Sequence, residues 1–357
     1  MSGLVLSHIS KGFKSGKVLQ DVSLDVNAGE IVAIVGPSGT GKTVLLRIIA
    51  GLQEPDGGTV SIDGVDMTDA APESRGIGMA FQNFALFPHF NAFDNIGSPL
   101  TARHIPAASL KEKVGVVAKL LKIDHVLGHA PRELSNGQKQ RTALARALVA
   151  QPKVLLLDDP LRNVDAKLRY EMRLELPRLL RSYNAAVIYV TQDYKEAMAL
   201  GDRIAVLRGG RIEQWAPPRD VYATPASVEV AKLFGDPTIN LLPSTVEQGG
   251  IQILGRRVSA PDASGPVLAG LRPEHLTVSR IEIPDGIPCE LDAVMPVNVR
   301  SVLYLRGPAG EEILATVGES EAVKFGRDHR QVWVDFAPEH VLLFDAATGA
   351  RIGHQAH

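Results

Sequence analysis

The sequence has only one cysteine among its 357 residues, few aromatic residues and almost no excess of either charge. Cys289 alone cannot form an internal disulfide, and we expect a protein of a reducing cytoplasm. Lys and Arg total 38 against 40 for Asp and Glu, so the net charge is -2. This balance excludes a global electric field that draws the chain to nucleic acid or to anionic lipid.

Long apolar runs are also missing. No run of about 20 apolar residues occurs, and the first residues, Met1–Leu4, lack a basic segment followed by an apolar stretch. We therefore expect the chain neither to span a membrane nor to be exported by such a signal, and any membrane role must come through partners. The hydrophobic content of 45% is ordinary for a globular protein, and the length predicts two domains.

Residues 36–43 match the G-x-x-x-x-G-K-[ST] pattern of a phosphate-binding loop. An apolar, mostly β-branched run at 31–35 precedes the loop and an apolar stretch at 44–50 follows it, which predicts strand, loop and helix in the required order. A glycine-rich turn in an unrelated α/β domain is the alternative. The predicted phosphate contacts are Gly36, Ser38, Gly39, Gly41 and Lys42, and the Thr43 hydroxyl is placed to bind Mg²⁺.

Three further apolar runs, at 77–81, 154–157 and 186–190, end in polar residues. Because the carboxyl ends of strands line the ligand crevice of an open α/β sheet, the residues that follow these runs are candidates to surround one nucleotide. They are Gln82, Asp158, Asp159 and Gln192. An acid after an apolar strand, downstream of a phosphate loop, predicts that Asp158 is the second Mg²⁺ anchor.

The segment from about 83 to 150 contains helix formers interrupted by Pro88, Pro99 and Pro106, which predicts an inserted helical subdomain. Ser135 is a candidate N-cap for a helix running to Val149, and such a helix start offers N–H groups to an anion.

Apolar and polar residues alternate in two runs near the beginning of the chain, at 5–10 and 20–26. This pattern predicts half-exposed antiparallel strands joined by a turn at 14–17. Phe13 lies at the start of this turn. Its ring either stacks on a nucleotide base or closes the hairpin end as a hydrophobic plug.

Over residues 1 to about 240, these motifs resemble the ATPase subunits of ABC transporters. Phe13 matches the adenine-stacking position, Gln82 the Q-loop, 134–138 the LSGGQ signature and Asp165 the D-loop. The stretches 78–89 and 161–169 are most similar to the ATPases of sugar and polyol importers of the maltose-transporter type. The resemblance implies that Thr43, Gln82 and Asp158 hold Mg²⁺, that Asp159, Gln192 and Gln82 serve catalysis, and that Ser135, Gly137 and Asp165 contact nucleotide.

A linker is predicted at 235–237, and beyond it short strands with turn signals predict a small β-barrel. Segments 271–275 and 344–349 are similar to the OB-like regulatory domain of those sugar-importer ATPases. We therefore expect an α/β P-loop ABC core with antiparallel β and helical subdomains over 1–235, and an all-β, OB-like domain over 236–357. The second domain has few aromatics and no basic stripe, so nucleic acid is not an expected partner and a dimer-stabilising or regulatory role is favoured.

The chain departs from the family pattern at three positions. Asp159 stands where the family has a glutamate that polarises the attacking water, and its shorter side chain should cost about 10²-fold in rate. Gln192 replaces the switch histidine, so it can donate a hydrogen bond but never carry charge. Asn136 replaces the first glycine of the signature pair, whereas Ser135 and Gly137 remain.

The function expected from the resemblance is that of an ATP- and Mg²⁺-dependent, energy-coupling importer subunit at the cytoplasmic face of the membrane. Its partners would be integral-membrane permease subunits, a second ABC ATPase subunit and, indirectly, a periplasmic or extracellular solute-binding protein. The solute would be a carbohydrate, a polyol such as glycerol, or a related compound, which the sequence does not name.

In ABC dimers each ATP lies between one subunit's phosphate loop and the other's signature, so the substitutions favour the degenerate member of a heterodimeric pair. A fully hydrolytic homodimer and a non-cycling nucleotide-binding regulator remain alternatives. A soluble ABC protein of translation or DNA repair is disfavoured, because such proteins usually carry two cassettes or a long coiled-coil insertion.

Overall fold

The computed structural model describes residues 2–14, 16–162, 164–260, 262–325 and 330–353. The chain divides into two compact units, residues 1–219 and 220–357. The predicted domain boundary at 235/236 stays a prediction. Ser15 of the predicted turn and Asn163 of the stretch 161–169 lie outside the described residues. No helix in the part of the chain that the structure describes is long and apolar enough to cross a membrane.

The first unit combines two sheets with several helices. Its strands are β1 (Ser2–Phe13), β2 (Gly16–Asn27), β3 (Ile31–Val35), β4 (Gly57–Ile62), β5 (Val65–Asp66), β6 (Ile77–Ala80), β7 (Val154–Asp158), β8 (Ala186–Thr191), β9 (Arg203–Arg208) and β10 (Arg211–Ala216). Its helices are α1 (Lys42–Ile49), α2 (Ala92–Ala102), α3 (Ala107–Leu120), α4 (Asn136–Leu148), α5 (Ala166–Ser182) and α6 (Tyr194–Leu200), and α7 (Pro218–Ala223) follows.

The main sheet has the strand order β10-β9-β3-β8-β7-β6. All of its neighbouring strands run parallel except β10, which is antiparallel to β9. Alternate residues of β7 enter different cores: Leu155 and Leu157 pack on the side of the helices, whereas Val154 and Leu156 pack against α1 and the second sheet. The runs at 31–35, 154–157 and 186–190 are strands as predicted, and these three strands are buried on both faces.

The second sheet is antiparallel, with the order β2-β1-β4-β5. Residues of β2 alternate between buried and exposed along most of its length, as expected for a sheet with one solvated face. Its buried face, including Leu4, Val22 and Val60, joins the core that covers α1.

The helical part between β6 and β7 contains α2, α3 and α4. Pro106 is the N-cap of α3, but Pro99 lies inside α2, so the prediction that it interrupts the helices is wrong. Proline has no N–H to bond the carbonyl of Asn95 one turn earlier. The Ser98 hydroxyl donates to this carbonyl instead, at 2.9 Å, and offsets the lost hydrogen bond.

The second unit is mostly β-structure. Its strands are β11 (Asn240–Thr245), β12 (Gly250–Ile253), β13 (Arg256–Ser259), β14 (Pro266–Leu271), β15 (Leu276–Ser279), β16 (Ile287–Val297), β17 (Arg300–Arg306), β18 (Glu312–Gly318), β19 (Gln331–Phe336) and β20 (Leu342–Asp345), and its helices include α8 (Val228–Leu233) and α9 (Glu319–Ala322). They form sheets of order β11-β14-β20, β12-β13 and β15-β19-β16-β17-β18. The strands predicted around 258 and at 267–270, 302–307, 313–317, 332–336 and 341–344 are confirmed. The strands β11, β12, β15 and β16 were not predicted, and in β16 Pro288 and Pro296 argue against a central strand.

Candidate nucleotide site

A cavity of about 320 Å³ opens where β3, β7 and β8 end. The phosphate-loop residues form one wall, and the polar residues predicted after the apolar strands form much of the rest. The lining residues are Val18, Ser38, Gly39, Gly41, Lys42, Thr43, Val44, Gln82, Asp158, Asp159, Val190 and Gln192. The sequence-predicted strand-end side chains thus meet in one place, as the topology of a parallel sheet requires.

The loop glycines have two different structural roles. Gly39 and Gly41 have φ angles of 82° and 99°, the left-handed region in which a side chain is strained. Gly36 is needed for packing instead, because a Cβ there would lie 2.1 Å from the carbonyl oxygen of Leu207 on β9. Two of the three loop glycines therefore allow the backbone conformation of the loop, and the third allows its close packing against β9.

The Lys42 side chain is folded against the carbonyls of its own loop. Its Nζ donates to the carbonyl oxygens of Gly36 and Pro37, both at 2.7 Å, and the residue is only 7% exposed. Burial lowers the pKa of Lys42, while the carboxylates of Asp159 and Asp158 act in the opposite direction. A phosphate oxygen in this cavity would compete with two uncharged carbonyls for a positively charged donor, and a charged acceptor binds such a donor more strongly.

Thr43 and Asp158 place two hard oxygen donors side by side. The Thr43 hydroxyl lies 3.2 Å and 3.4 Å from the two carboxylate oxygens of Asp158. Burial raises the pKa of Asp158, and the Thr43 hydrogen bond opposes that rise. No cluster of three or more His, Cys, Asp or Glu side chains able to hold a metal occurs among the described residues. One carboxylate with a hydroxyl fits Mg²⁺, which usually keeps water and substrate phosphates as its other ligands.

Asp159 follows β7 in a left-handed conformation with φ 47°, a region that Asp tolerates better than most residues. Its N–H donates to the carbonyl of Val190 at 2.8 Å, and its carboxylate lies 3.6 Å from the Arg162 guanidinium. Burial, followed by the charge of Glu196, raises the pKa of Asp159 to about 6. A carboxylate with this pKa is well suited to accept a proton near neutral pH.

Gln192 contacts the loop directly. Its side-chain oxygen accepts a hydrogen bond from the Ser38 hydroxyl at 3.0 Å, which leaves the amide NH₂ as a donor for the cavity. The substitution of glutamine for histidine thus keeps a donor at this position, without the option of positive charge.

A buried network behind β8 was not predicted. Glu196 is 2% exposed and accepts hydrogen bonds from the hydroxyls of Tyr189 and Thr191, both at 2.9 Å. Arg173 lies 3.5 Å from the same carboxylate. An acid in the first turn of a helix such as α6 is usually a solvated residue, so no local pattern indicated that Glu196 is buried. The network fixes the end of the strand that carries Gln192.

Two buried side chains, Arg146 and Asn95, hold the segment that follows Gln82, and this role was not predicted from the sequence. Phe84 and Ala85 are left-handed, at a cost of about 1–2 kcal/mol each. The Arg146 guanidinium donates to their carbonyls at 3.0 Å and 2.7 Å. Asn95, which is fully buried, accepts from the Phe87 N–H at 2.8 Å and donates to carbonyls at the far end of the segment.

The other predicted site residues do not line this cavity. The Phe13 ring is 47% exposed at the end of β1, with Lys11 Nζ 5.9 Å from its centre. Ser135 caps α4 as predicted: its hydroxyl accepts from the Gln138 N–H at 3.2 Å. Gly137 is buried in the first turn of α4, and Asp165 is exposed just before α5.

Strand, phosphate loop, helix and strand-end carboxylates together define the nucleotide-binding core of a P-loop ATPase. The model of the ABC transporter family matches residues 19–162, and that of the TOBE domain matches residues 269–344. The chain therefore belongs to the ABC transporter ATP-binding proteins. It is an importer subunit, of a class of ATPases that dimerise and act with membrane permeases.

Two relatives illustrate the extent of the match. The sn-glycerol-3-phosphate import ATP-binding protein UgpC of Psychromonas ingrahamii is 38% identical, with 99% of this chain and 96% of the relative covered. The lactose transport ATP-binding protein LacK of Rhizobium radiobacter is 37% identical over 99% of this chain and 100% of the relative.

Among solved structures, the dimeric post-hydrolysis state of the ATP-binding cassette MJ0796 bound to ADP and Pi is similar to this chain. Its TM-score is 0.55 and its identity 31%, over 60% of this chain and 99% of that one. The similarity therefore concerns the cassette and leaves the remaining part of the chain unmatched.

Proposed function

We propose that this chain binds Mg-ATP in the cavity at the ends of β3, β7 and β8 and contributes to the energy supply of a solute importer. The observation that carries the proposal is the placement of one buried ammonium, Lys42, beside a hydroxyl–carboxylate pair, Thr43 and Asp158. A charged donor and two hard oxygen ligands in one cavity suit a polyphosphate with its cation.

Each residue at the cavity has a definite task in this proposal. Lys42 binds the β- and γ-phosphate oxygens in place of the loop carbonyls, and Thr43, Asp158 and Gln82 hold Mg²⁺. When bound, Mg²⁺ neutralises charge on the phosphates and orients them. Asp159 accepts the proton of the attacking water, and Gln192 donates to the γ-phosphate.

Ser135, Gly137 and Asp165 do not line the cavity, and we assign them to the nucleotide bound by a second ATPase subunit. Phe13 would extend the chain's own site toward the base from the exposed end of β1. Such a composite site requires a dimer, and each subunit would supply one half of each site.

The substitutions at Asp159 and Gln192 both affect the half built on this chain's own phosphate loop. We propose that the chain is the less active member of a heterodimeric pair. The pKa of about 6 leaves Asp159 competent as a base, so its impairment rests on the length of its side chain alone. A homodimer that hydrolyses ATP at both sites is the second candidate, and the retained base and donor favour it.

The proposed solute is a carbohydrate, a polyol such as glycerol, or a phosphorylated derivative, because the two relatives are named for the import of sn-glycerol-3-phosphate and the transport of lactose. The proposed permease contact is the segment 84–90, where Phe87 is 43% exposed and the backbone is fixed by Arg146 and Asn95. That contact would hold the chain at the cytoplasmic face of the membrane.

Two variants in the reconstituted transporter test this function. Ser135→Arg puts bulk and charge at the partner's nucleotide and should abolish most of the ATPase activity. Asp159→Asn should barely change turnover in a heterodimer. A large loss from Asp159→Asn, comparable with that from Ser135→Arg, would show that this chain's own site is catalytic. Failure of the unaltered complex to hydrolyse ATP at all would instead favour a non-cycling regulator.

A further inference from the structure

The first unit has a second, larger cavity away from the nucleotide site. It is a groove of about 550 Å³ between the end of α3, the middle of α4 and the second half of α5. Its apolar floor and walls include Met172, Leu176 and Leu179 of α5 and Leu121 after α3. This volume lies within the usual range for small-molecule sites, which are mostly apolar with a few polar groups.

The rim of this groove leaves large apolar side chains in contact with water. Leu120 is 48% exposed and Leu174 is 60% exposed, and they come from opposite walls of the groove. Below them Met172 is 3% and Leu176 is 1% exposed, so the apolar surface continues from the rim into the floor. Contiguous exposed apolar surface of this kind is typical of a binding site.

Positively charged side chains outnumber negatively charged ones in the lining of the groove. Lys122, Arg141 and Arg178 contribute three cations, whereas Glu175 is the acidic residue of the lining. Lys122 pairs with Glu175, and Arg141 lies 4.0 Å from the same carboxylate. Arg178 is exposed and pairs with no acid in the part of the chain that the structure describes. The local excess of two positive charges contrasts with the net charge of -2 for the whole chain.

We propose that this groove binds an amphipathic carboxylate, a free acyl anion whose chain lies over Met172 and Leu176 and whose head group pairs with Arg178. The apolar floor would bury the acyl chain, and the Arg178 guanidinium would pair with the carboxylate. The walls come from α3 in the helical part and from α5, which begins just after Asp165. A bound acyl anion therefore links these two regions of the cassette.

Decanoate, below its micellar concentration, is the probe for the full-length protein. In isothermal titration it should bind one per chain, and decyl alcohol and butyrate should each bind at least about tenfold more weakly. Arg178→Gln should weaken decanoate binding about tenfold, and Leu174→Gln roughly fourfold. The matched controls are Lys119→Gln, an exposed lysine on α3 outside the lining, and Leu52→Gln, a leucine that is 54% exposed elsewhere in the unit.

Methionine-methyl NMR locates the bound probe. The chain has 6 methionines, and Met172 in the floor of the groove should shift on titration while the others stay in place. Shifts spread over several methionines, or equal binding of decanoate and decyl alcohol, would reveal detergent-like association and overturn the proposal. Binding to phosphatidylglycerol vesicles that is lost in Arg178→Gln, without binding of free decanoate, would overturn it in favour of a bilayer contact.

Discussion

The cavity at the ends of β3, β7 and β8 and the start of α4 are both suited to an anion, but they are built differently. In the cavity, Lys42, Asp158 and Asp159 are buried groups whose pKa values are shifted mainly by burial. Two acids face one ammonium there, so a bound polyphosphate would need its Mg²⁺. At the start of α4, Ser135 and Gln138 satisfy each other's backbone N–H groups. The first region therefore favours a ligand through buried charge, whereas the second is a stable surface that a nucleotide on another subunit can approach.

The largest effect that sharpens this contrast is expected from Lys42→Ala. Removing the buried ammonium should weaken ATP binding by about 10²-fold, because a hydrogen bond to a charged group is lost together with its charge. Equilibrium binding of a fluorescent ATP analogue to the purified chain measures the effect. Lys139→Ala, on the first turn of α4, is the matched control and should leave this affinity unchanged. Equal affinities of Lys42→Ala and the unaltered chain would reject the cavity as the nucleotide site.

The next effect concerns the length of one side chain. Asp159→Glu restores the missing methylene and should raise the ATPase rate of the purified chain by about tenfold or more, since misplacement near 1 Å costs about 10²-fold. Asp159→Asn keeps the shorter length and removes the base, so it should lower the rate. If the glutamate variant is no faster than the unaltered chain, the length of the side chain at position 159 does not limit the ATPase rate.

A smaller effect is expected from pH. The pKa of Asp159 is raised to about 6, mainly by burial, so the carboxylate becomes protonated as the pH falls through this value. A base is active only when deprotonated, and the residual ATPase rate should fall by about tenfold per pH unit below pH 6. A pH–rate profile of the purified chain, with Asp159→Asn as the flat reference, tests this. An unaltered chain with the same profile as the asparagine variant would show that another group limits the rate.

The smallest effect belongs to the second unit. His275 and His340 stack with their ring centres 4.1 Å apart, and burial together with the charge of His340 lowers the pKa of His275. The folded state then binds fewer protons than the unfolded state, so stability is lost as the pH falls from about 6.5, the ordinary value, toward the lowered pKa of His275. Glu274 and Arg272 are the other charged groups that act on this ring, in opposite directions.

His275→Gln should flatten that pH dependence, with a change in Tm of at most about 4 °C between pH 7.5 and pH 5.5. Thermal unfolding of the full chain at a series of pH values measures it. His8→Gln, an exposed histidine of the first unit, is the control. An unchanged slope in His275→Gln would assign the pH dependence to other groups.

The sequence predicted four strands of the main sheet, β3, β6, β7 and β8, and the residues that follow them, because a run of apolar residues followed by a polar one has few alternative structures in an α/β protein. It did not predict β9 and β10. It could not predict the network of Glu196 or the role of Arg146. Arg146 is buried against backbone carbonyls 61 and 62 residues away in the sequence. Glu196 is only 5 and 7 residues from Thr191 and Tyr189, but it meets their hydroxyls only because α6 packs against β8. Pro99 was misjudged for a related reason, since a neighbouring serine hydroxyl replaces the hydrogen bond that proline removes.

Side chains of β7 alternate between two apolar cores, so the position of Asp158 in the cavity depends on how those cores pack. Val154 and Leu156 belong to one core and Leu155 and Leu157 to the other, so both cores fix the register of this strand. Inserting one residue before Asp158 would exchange the two sets of side chains and move the carboxylate by about 3.3 Å, the rise of one strand residue. A sequence change that preserves both cores therefore keeps the register of β7, and with it the position of the Asp158 carboxylate.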